Sequence, residues 1–183
     1  MLKNLPNILT YTRLVCAVLL LIVLALNPSN KALLFYLFAI GGVTDWLDGY
    51  IAKNYQLVSR IGEIIDPIAD KALVICALLV LVHYDSSIIL LIASAIIILR
   101  EFIISALRQI LTDLPNNPLK VNFLSRVKAL VQMFGIGTCM FSLEFGNQLL
   151  YQCGIGLIAI SALLTIGTFV TYLMKIKPIL ARI

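Results

Sequence analysis

The chain has 183 residues, 61% of them hydrophobic and only 13% charged, with a mean hydropathy of +1.03. A soluble domain carries about a quarter charged residues, so this composition excludes one and identifies an integral membrane protein. A formal net charge of +5 on so apolar a chain is read as a topology signal, with no nucleic acid partner.

A bilayer core takes roughly 20 mostly apolar residues per helical span. The chain therefore has room for about six spans, in an all-α, polytopic membrane fold that forms a single domain over residues 1–183. The first residues are mixed. Leu2, Leu5 and Leu9 share one helical face with Lys3 off it, which predicts a short interfacial segment interrupted by Pro6. Span one is expected over 14–26, retained rather than cleaved, because no small-residue cleavage site follows the apolar run. Span two runs from about 32 into an acidic motif at Asp45, and 53–59 is a short polar connection. Span three covers 61–82, with Pro67 in its early turns, where a proline costs least. Span four covers 88–111, span five 123–145 and span six 149–174, followed by a basic tail. Residues 112–122 form the longest polar loop. Cys16, Cys76, Cys139 and Cys153 lie in or beside apolar runs without CxxC spacing, as expected for reduced packing cysteines.

Lysine and arginine set the orientation. Lys3, Arg13, Lys53, Arg60, Arg108, Lys120, Arg126, Lys128, Lys175, Lys177 and Arg182 fall on one side of the predicted spans, and Lys31 alone in the short loops of the other. The crowded side is expected to be cytoplasmic, with both termini and the acidic motif there. The absence of an Arg/Ser-rich transit peptide favours a bacterial inner membrane.

Acids are scarce, yet Asp45, Asp48, Asp66 and Asp70 all fall within DWLDGYIAKNYQLVSRIGEIIDPIAD. The first pair is spaced i, i+3 and the second i, i+4, so each pair shares a helix face. Two such faces turned together make one four-carboxylate pocket. Four negative charges at a membrane boundary need cations. With no His or Cys in the stretch the donors are hard oxygens, which select Mg²⁺, Mn²⁺ or Ca²⁺ over zinc or copper. Four carboxylates can hold two divalent ions, which would neutralise a pyrophosphate and polarise its phosphorus. Gly49, directly after Asp48, and Gly62, four residues before Asp66, let a substrate approach the backbone closely.

The full string Asp45, Asp48, Gly49, Ala52, Gly62, Asp66, Asp70 resembles the signature of the CDP-alcohol phosphatidyltransferases, six-span and usually homodimeric membrane enzymes that transfer a phosphatidyl group from CDP-diacylglycerol to an alcohol and release CMP. The resemblance implies Mg²⁺ or Mn²⁺ held by Asp45, Asp48, Asp66 and Asp70. It gives Asp70 a second role, as general base on the incoming hydroxyl. It sets Gly49, Ala52 and Gly62 against the nucleotide, joined by Lys53 and by Asn7 and Thr10 of the first segment. At position 53 the family pattern has Arg; Lys keeps the charge and loses the planar fork.

The acceptor is addressed by cations. Arg100 and Arg108 are eight residues apart, near one helix face, and Arg126 and Lys128 open span five with Gln132 one turn on. A cationic pocket beside a metal site suits a phosphorylated acceptor. NLPNILTYTR, DPIADKALV and REFIISALR resemble the branch of the family that uses sn-glycerol 3-phosphate. This implies that Arg60, Arg100, Arg108, Arg126 and Lys128 hold its phosphate. That branch usually reads G-K-x-K-T where this chain has Ser125 to Ala129. The alternative is a cardiolipin synthase of the same fold, with phosphatidylglycerol as acceptor. Two other classes are set aside. A cation transporter would spread acids across mid-membrane on several spans, and a silent relative would lack one of the aspartates. The plainest competing account of these charges is local pairing: the aspartates with Lys71 and Arg60, and Arg100 with Glu101.

Overall fold

The computed structural model describes residues 5–55, 60–110 and 123–180, with side chains described for 7–47, 65, 67–107 and 124–174. Among the described residues there are six helices and no strand: α1 (Leu5–Leu26), α2 (Lys31–Tyr55), α3 (Arg60–Tyr84), α4 (Ile88–Ile110), α5 (Phe123–Phe145) and α6 (Gln148–Leu180).

Local chemistry accounts for the helix ends. Pro6 stands in the first turn of α1, where its missing N–H has no helical partner to lose. From Leu5 onward, the expected interfacial segment and span one therefore form one continuous helix. At the other end of α1, the Asn27 amide still donates to the Val23 carbonyl (2.8 Å), and Pro28 cannot continue the ladder. Asn30 caps α2, its Oδ1 accepting from the Leu33 amide at 3.1 Å, and Asn147 caps α6 in the same way through the Leu150 amide at 3.1 Å. Asp85 Oδ1 accepts from the Ser87 amide (2.8 Å) in the α3–α4 turn. Gly146 closes α5 with φ 69°, a left-handed conformation that glycine adopts without penalty. Pro67 falls two turns into α3, because that helix already starts at Arg60.

α1, α3, α4 and α6 each contain a stretch long and apolar enough to cross a membrane. α2 and α5 are 25 and 23 residues long, also the length of a span, and carry Thr44 and Asp45, and Arg126, Lys128 and Gln132, respectively. Large apolar residues such as Val15, Val18, Ile89, Ile92, Leu99 and Leu163 are exposed, as lipid-facing side chains are, while Leu20, Leu73, Leu78, Leu81, Ile97, Ile136 and Ile158 are fully buried. The chain is a polytopic all-α membrane protein.

The helices pack as two groups of three. α1 lies against α2 and α3; α6 lies against α5 and α4; α2 with α5 and α3 with α4 and α5 join the groups. Lipid tails are as apolar as leucine, so helices associate through close packing and small residues. α2 meets α3 at Gly41, where a Cβ would fall 2.7 Å from the Leu73 methyls. α5 crosses α6 at Gly135 and Gly154. A Cβ on Gly154 would come within 3.0 Å of the Gly135 carbonyl oxygen and the Cys139 amide.

Candidate active site

Thr10 and Arg13 are buried on α1, one turn apart, with Asn7 half-buried a turn earlier. An arginine 1% exposed in an otherwise apolar helix demands anionic partners. It has two. Arg13 Nη1 donates to Asp70 Oδ1 of α3, and Nη2 lies 3.3 Å from Asp45 Oδ1 of α2. One planar guanidinium thus joins two carboxylates from two helices, a geometry that suits Arg and that Lys cannot reproduce. Both aspartates remain about half exposed.

A cavity of about 380 Å³ opens beside this cluster where the two helix groups meet. Arg13, Asp45, Pro67, Asp70 and Lys71 line it from the first group; Glu101, Lys128 and Gln132 line it from the second; Leu73, Ile97 and Met133 supply its apolar wall. The second-group charges form their own cluster. Glu101 Oε1 accepts from Lys128 Nζ (2.5 Å) and from Arg100 Nη1 (3.0 Å). Arg100 does not line the cavity. It is buried behind Glu101, with Nη2 donating to Thr168 Oγ1 of α6 at 3.3 Å and its guanidinium 5.7 Å from the Tyr172 ring centre. Tyr172 shares a hydrogen bond with Ser125 (3.0 Å), and Ser161 reaches the Lys128 carbonyl and Gln132 Oε1, both at 3.4 Å.

The predicted residues fare differently. Asp45, Asp70 and Lys128 meet at one chamber. Arg126, two residues from Lys128 and so on the opposite side of α5, is exposed and does not line it. The side chains of Asp48, Gly49, Ala52, Lys53, Arg60, Gly62, Asp66 and Arg108 lie outside the described residues. Local pairing of Arg100 with Glu101 is present, and Arg13 pairs with Asp45 and Asp70. Three features escaped the sequence reading: Arg13 as an acid-bridging residue, Glu101 as a cavity residue, and the buried α6 stripe Ser161, Thr165, Thr168 and Tyr172. The stripe had a signal. Polar residues at i, i+4, i+7 and i+11 trace one face of an otherwise apolar helix.

Two carboxylates converging on one cation, with hard oxygens as the only donors among them, fit a divalent ion such as Mg²⁺ or Mn²⁺. Among the described residues no group of three or more metal-ligating side chains is assembled, since Asp48 and Asp66 belong to the part whose side chains are not described.

A sequence model described as CDP-alcohol phosphatidyltransferase matches residues 3–173. A Haemophilus influenzae protein named CDP-diacylglycerol–glycerol-3-phosphate 3-phosphatidyltransferase is 34% identical over 176 residues, covering 95% of this chain and 94% of its own length. Proteins of the same name from Rickettsia felis (35% identical, 96% of each chain) and Escherichia coli K12 (34% identical, 93% of each chain) align over a similar extent. The acid motif on α2 and α3, the six-helix architecture and these near full-length similarities together place the chain in the CDP-alcohol phosphatidyltransferase family.

Proposed function

We propose that this protein transfers the phosphatidyl group of CDP-diacylglycerol to sn-glycerol 3-phosphate, giving phosphatidylglycerophosphate and CMP. The observation that carries this reading is the single chamber with carboxylates on one wall and a buried lysine on the other. The relatives that align over almost the whole chain bear the name of that reaction.

The proposed roles are those that the motif implies. Asp45 and Asp70, with Asp48 and Asp66 one turn along the same two helices, would hold two Mg²⁺ or Mn²⁺ ions. When bound, those ions neutralise the donor pyrophosphate and make its phosphorus more electrophilic. Asp70 takes the proton of the attacking hydroxyl. The acceptor oxygen then forms a bond to the lipid-side phosphorus, and the bond to the CMP oxygen breaks, CMP leaving with the electron pair. Asn7, Thr10, Gly49, Ala52, Lys53 and Gly62 bind the nucleotide, and Lys53 meets the charge that develops on CMP. Lys128 binds the acceptor phosphate at the chamber wall; the family resemblance adds Arg60 and Arg108 to that role, and Arg126, exposed and off the cavity, contributes long-range charge alone. Arg100 acts through Glu101. The same reading gives a homodimer in a bacterial inner membrane with both termini and the site cytoplasmic. The cation-rich end that holds Arg13, Lys71, Arg100 and Lys128 supports that orientation.

Purified protein with CDP-diacylglycerol and Mg²⁺ should release CMP with glycerol 3-phosphate and not with phosphatidylglycerol, serine or inositol phosphate. Release with phosphatidylglycerol alone would reassign the chain as a cardiolipin synthase. Release with none of the four would reject the transfer itself.

A further inference from the structure

We propose that Glu101 selects the acceptor. Its second carboxylate oxygen accepts a hydrogen bond from the acceptor hydroxyl that does not react, beside the Lys128 ammonium that takes the acceptor phosphate. The proposal rests on the reading above and names a recognition group within it.

A carboxylate beside a site for an anionic substrate needs a reason. Left alone it would repel the phosphate. Here the two cations hydrogen-bonded to it crowd one oxygen: Lys128 Nζ at 2.5 Å and Arg100 Nη1 at 3.0 Å reach Oε1, while Lys71 adds positive charge from the opposite wall. The cluster of Glu101, Arg100 and Lys128 carries a net charge of +1, so it still attracts an anion. Oε2 makes no hydrogen bond among the described residues, and Glu101 lines the cavity. An ionised carboxylate only accepts hydrogen bonds. An acceptor-only atom at the wall of a small chamber therefore discriminates for a ligand hydroxyl. Lys128 has three N–H donors; one goes to Glu101, leaving two for a phosphate next to it.

Rigidity is provided from behind. Arg100 is anchored to Thr168 and lies over the Tyr172 ring, and Tyr172 is tied to Ser125. With Oε1 pinned by Arg100 and Lys128, the carboxylate cannot turn freely to suit a different ligand. Glycerol 3-phosphate has two hydroxyls. One forms the new P–O bond, and the other remains a donor near the phosphate end. A site built to bond a substrate hydroxyl rejects the analogue that lacks it far more strongly than an apolar pocket rejects a size change, because the site's polar group is then left unpaired.

The test compares glycerol 3-phosphate with 3-hydroxypropyl phosphate, which keeps the phosphate and the primary hydroxyl and lacks the secondary one. The wild-type protein should favour glycerol 3-phosphate in kcat/KM by about 100-fold or more. In Glu101→Ala the preference should shrink to about threefold, with most of the loss falling on glycerol 3-phosphate. Glu101→Gln, isosteric and able to keep one acceptor oxygen, should fall between the two. A wild-type protein that uses both acceptors equally overturns the proposal without recourse to any variant. Variants that lose the same factor with both acceptors, keeping the preference, overturn it too, since that is what a purely structural salt bridge predicts. Failure of the wild-type protein to release CMP with glycerol 3-phosphate is a different result, which removes the proposed reaction and this role with it.

Discussion

The two helix groups carry mirror-image ion clusters. In the first, one cation from α1 holds two acids from α2 and α3: Arg13 with Asp45 and Asp70. In the second, one acid from α4 holds two cations: Glu101 with Arg100 and with Lys128 of α5. Each cluster is built within its own three-helix group, and both face the same cavity. The first offers two half-exposed carboxylates, whose oxygens suit metal ions, and the second a buried lysine, which suits a phosphate. One fold thus sets an acid-bearing and a lysine-bearing surface on the two sides of a chamber of about 380 Å³.

The exposures differ too, and that difference assigns the work. Asp45 and Asp70 are about half exposed, whereas Glu101 is 22% and Lys128 3% exposed. Chemistry that needs a carboxylate to take a proton belongs to the open cluster. Asp70→Asn should therefore lower kcat for CMP release by about a thousandfold, within the range for loss of a general base. CMP binding, measured by equilibrium dialysis, should be largely kept. Near wild-type turnover in that variant would move the base elsewhere and break the division of labour between the clusters.

In the proposed reaction, recognition falls to the buried cluster. Lys128→Ala should raise the KM for glycerol 3-phosphate by about 10- to 100-fold, the equivalent of losing one or two charge-assisted hydrogen bonds, and leave the KM for CDP-diacylglycerol within about twofold. Arg126→Ala, on the exposed side of the same helix, should change the acceptor KM no more than a few-fold. Equal effects of the two substitutions would mean that charge near the chamber, rather than the Lys128 contact, governs acceptor binding.

How far the sequence could be read follows the same line. Spacing within one helix was legible. It put Asp45 with Asp48 and Asp66 with Asp70, and it bounded α5 at Phe123 and Phe145, where the structure has it. Pairings between helices were not. Arg13 and Asp70 are 57 residues apart, Glu101 and Lys128 27, and Arg100 and Thr168 68. A helix period says which residues share a face, not which neighbour that face meets. By sequence Arg13 is one topology charge among eleven, though an arginine in the first apolar segment, one turn after Thr10, already asks for a partner. Arg126 and Lys128 look alike by charge, while their spacing of two residues turns them to opposite sides of α5.

The crossing of α5 over α6 connects packing to the buried cluster. Lys128 lies two turns before Gly135, and Thr168 four turns after Gly154. Gly154→Ala would place a methyl within 3.0 Å of the Gly135 carbonyl oxygen and the Cys139 amide, atoms of backbone that can move only by separating the helices. The expected destabilisation is about 1–3 kcal/mol, seen as a lower thermal midpoint together with a raised acceptor KM. At Gly156, on the same helix, a Cβ would meet nothing within 4 Å, and Gly156→Ala should leave both readouts unchanged or slightly improve the midpoint. A lower midpoint with an unchanged acceptor KM would show that the crossing supports the fold without setting the Lys128 contact.

The smallest expected effect concerns the open cluster. Arg13 holds by its two nitrogens the two carboxylates proposed to hold a divalent ion. If the guanidinium occupies the acids until an ion displaces it, a weaker hold on them must strengthen ion binding. Arg13→Lys keeps the positive charge and loses the fork, so one of the two aspartates is released. Half-exposed ion pairs are worth roughly 0.5–1 kcal/mol at most, so the Mn²⁺ concentration that half-stabilises the substrate-free protein against heat should fall about two- to fivefold. Glu101→Gln, in the opposite cluster, should not move it. A rise in that concentration would give Arg13 the contrary role, holding the two carboxylates in position for the ion. The two clusters would then be alike in using their buried member to aim the others.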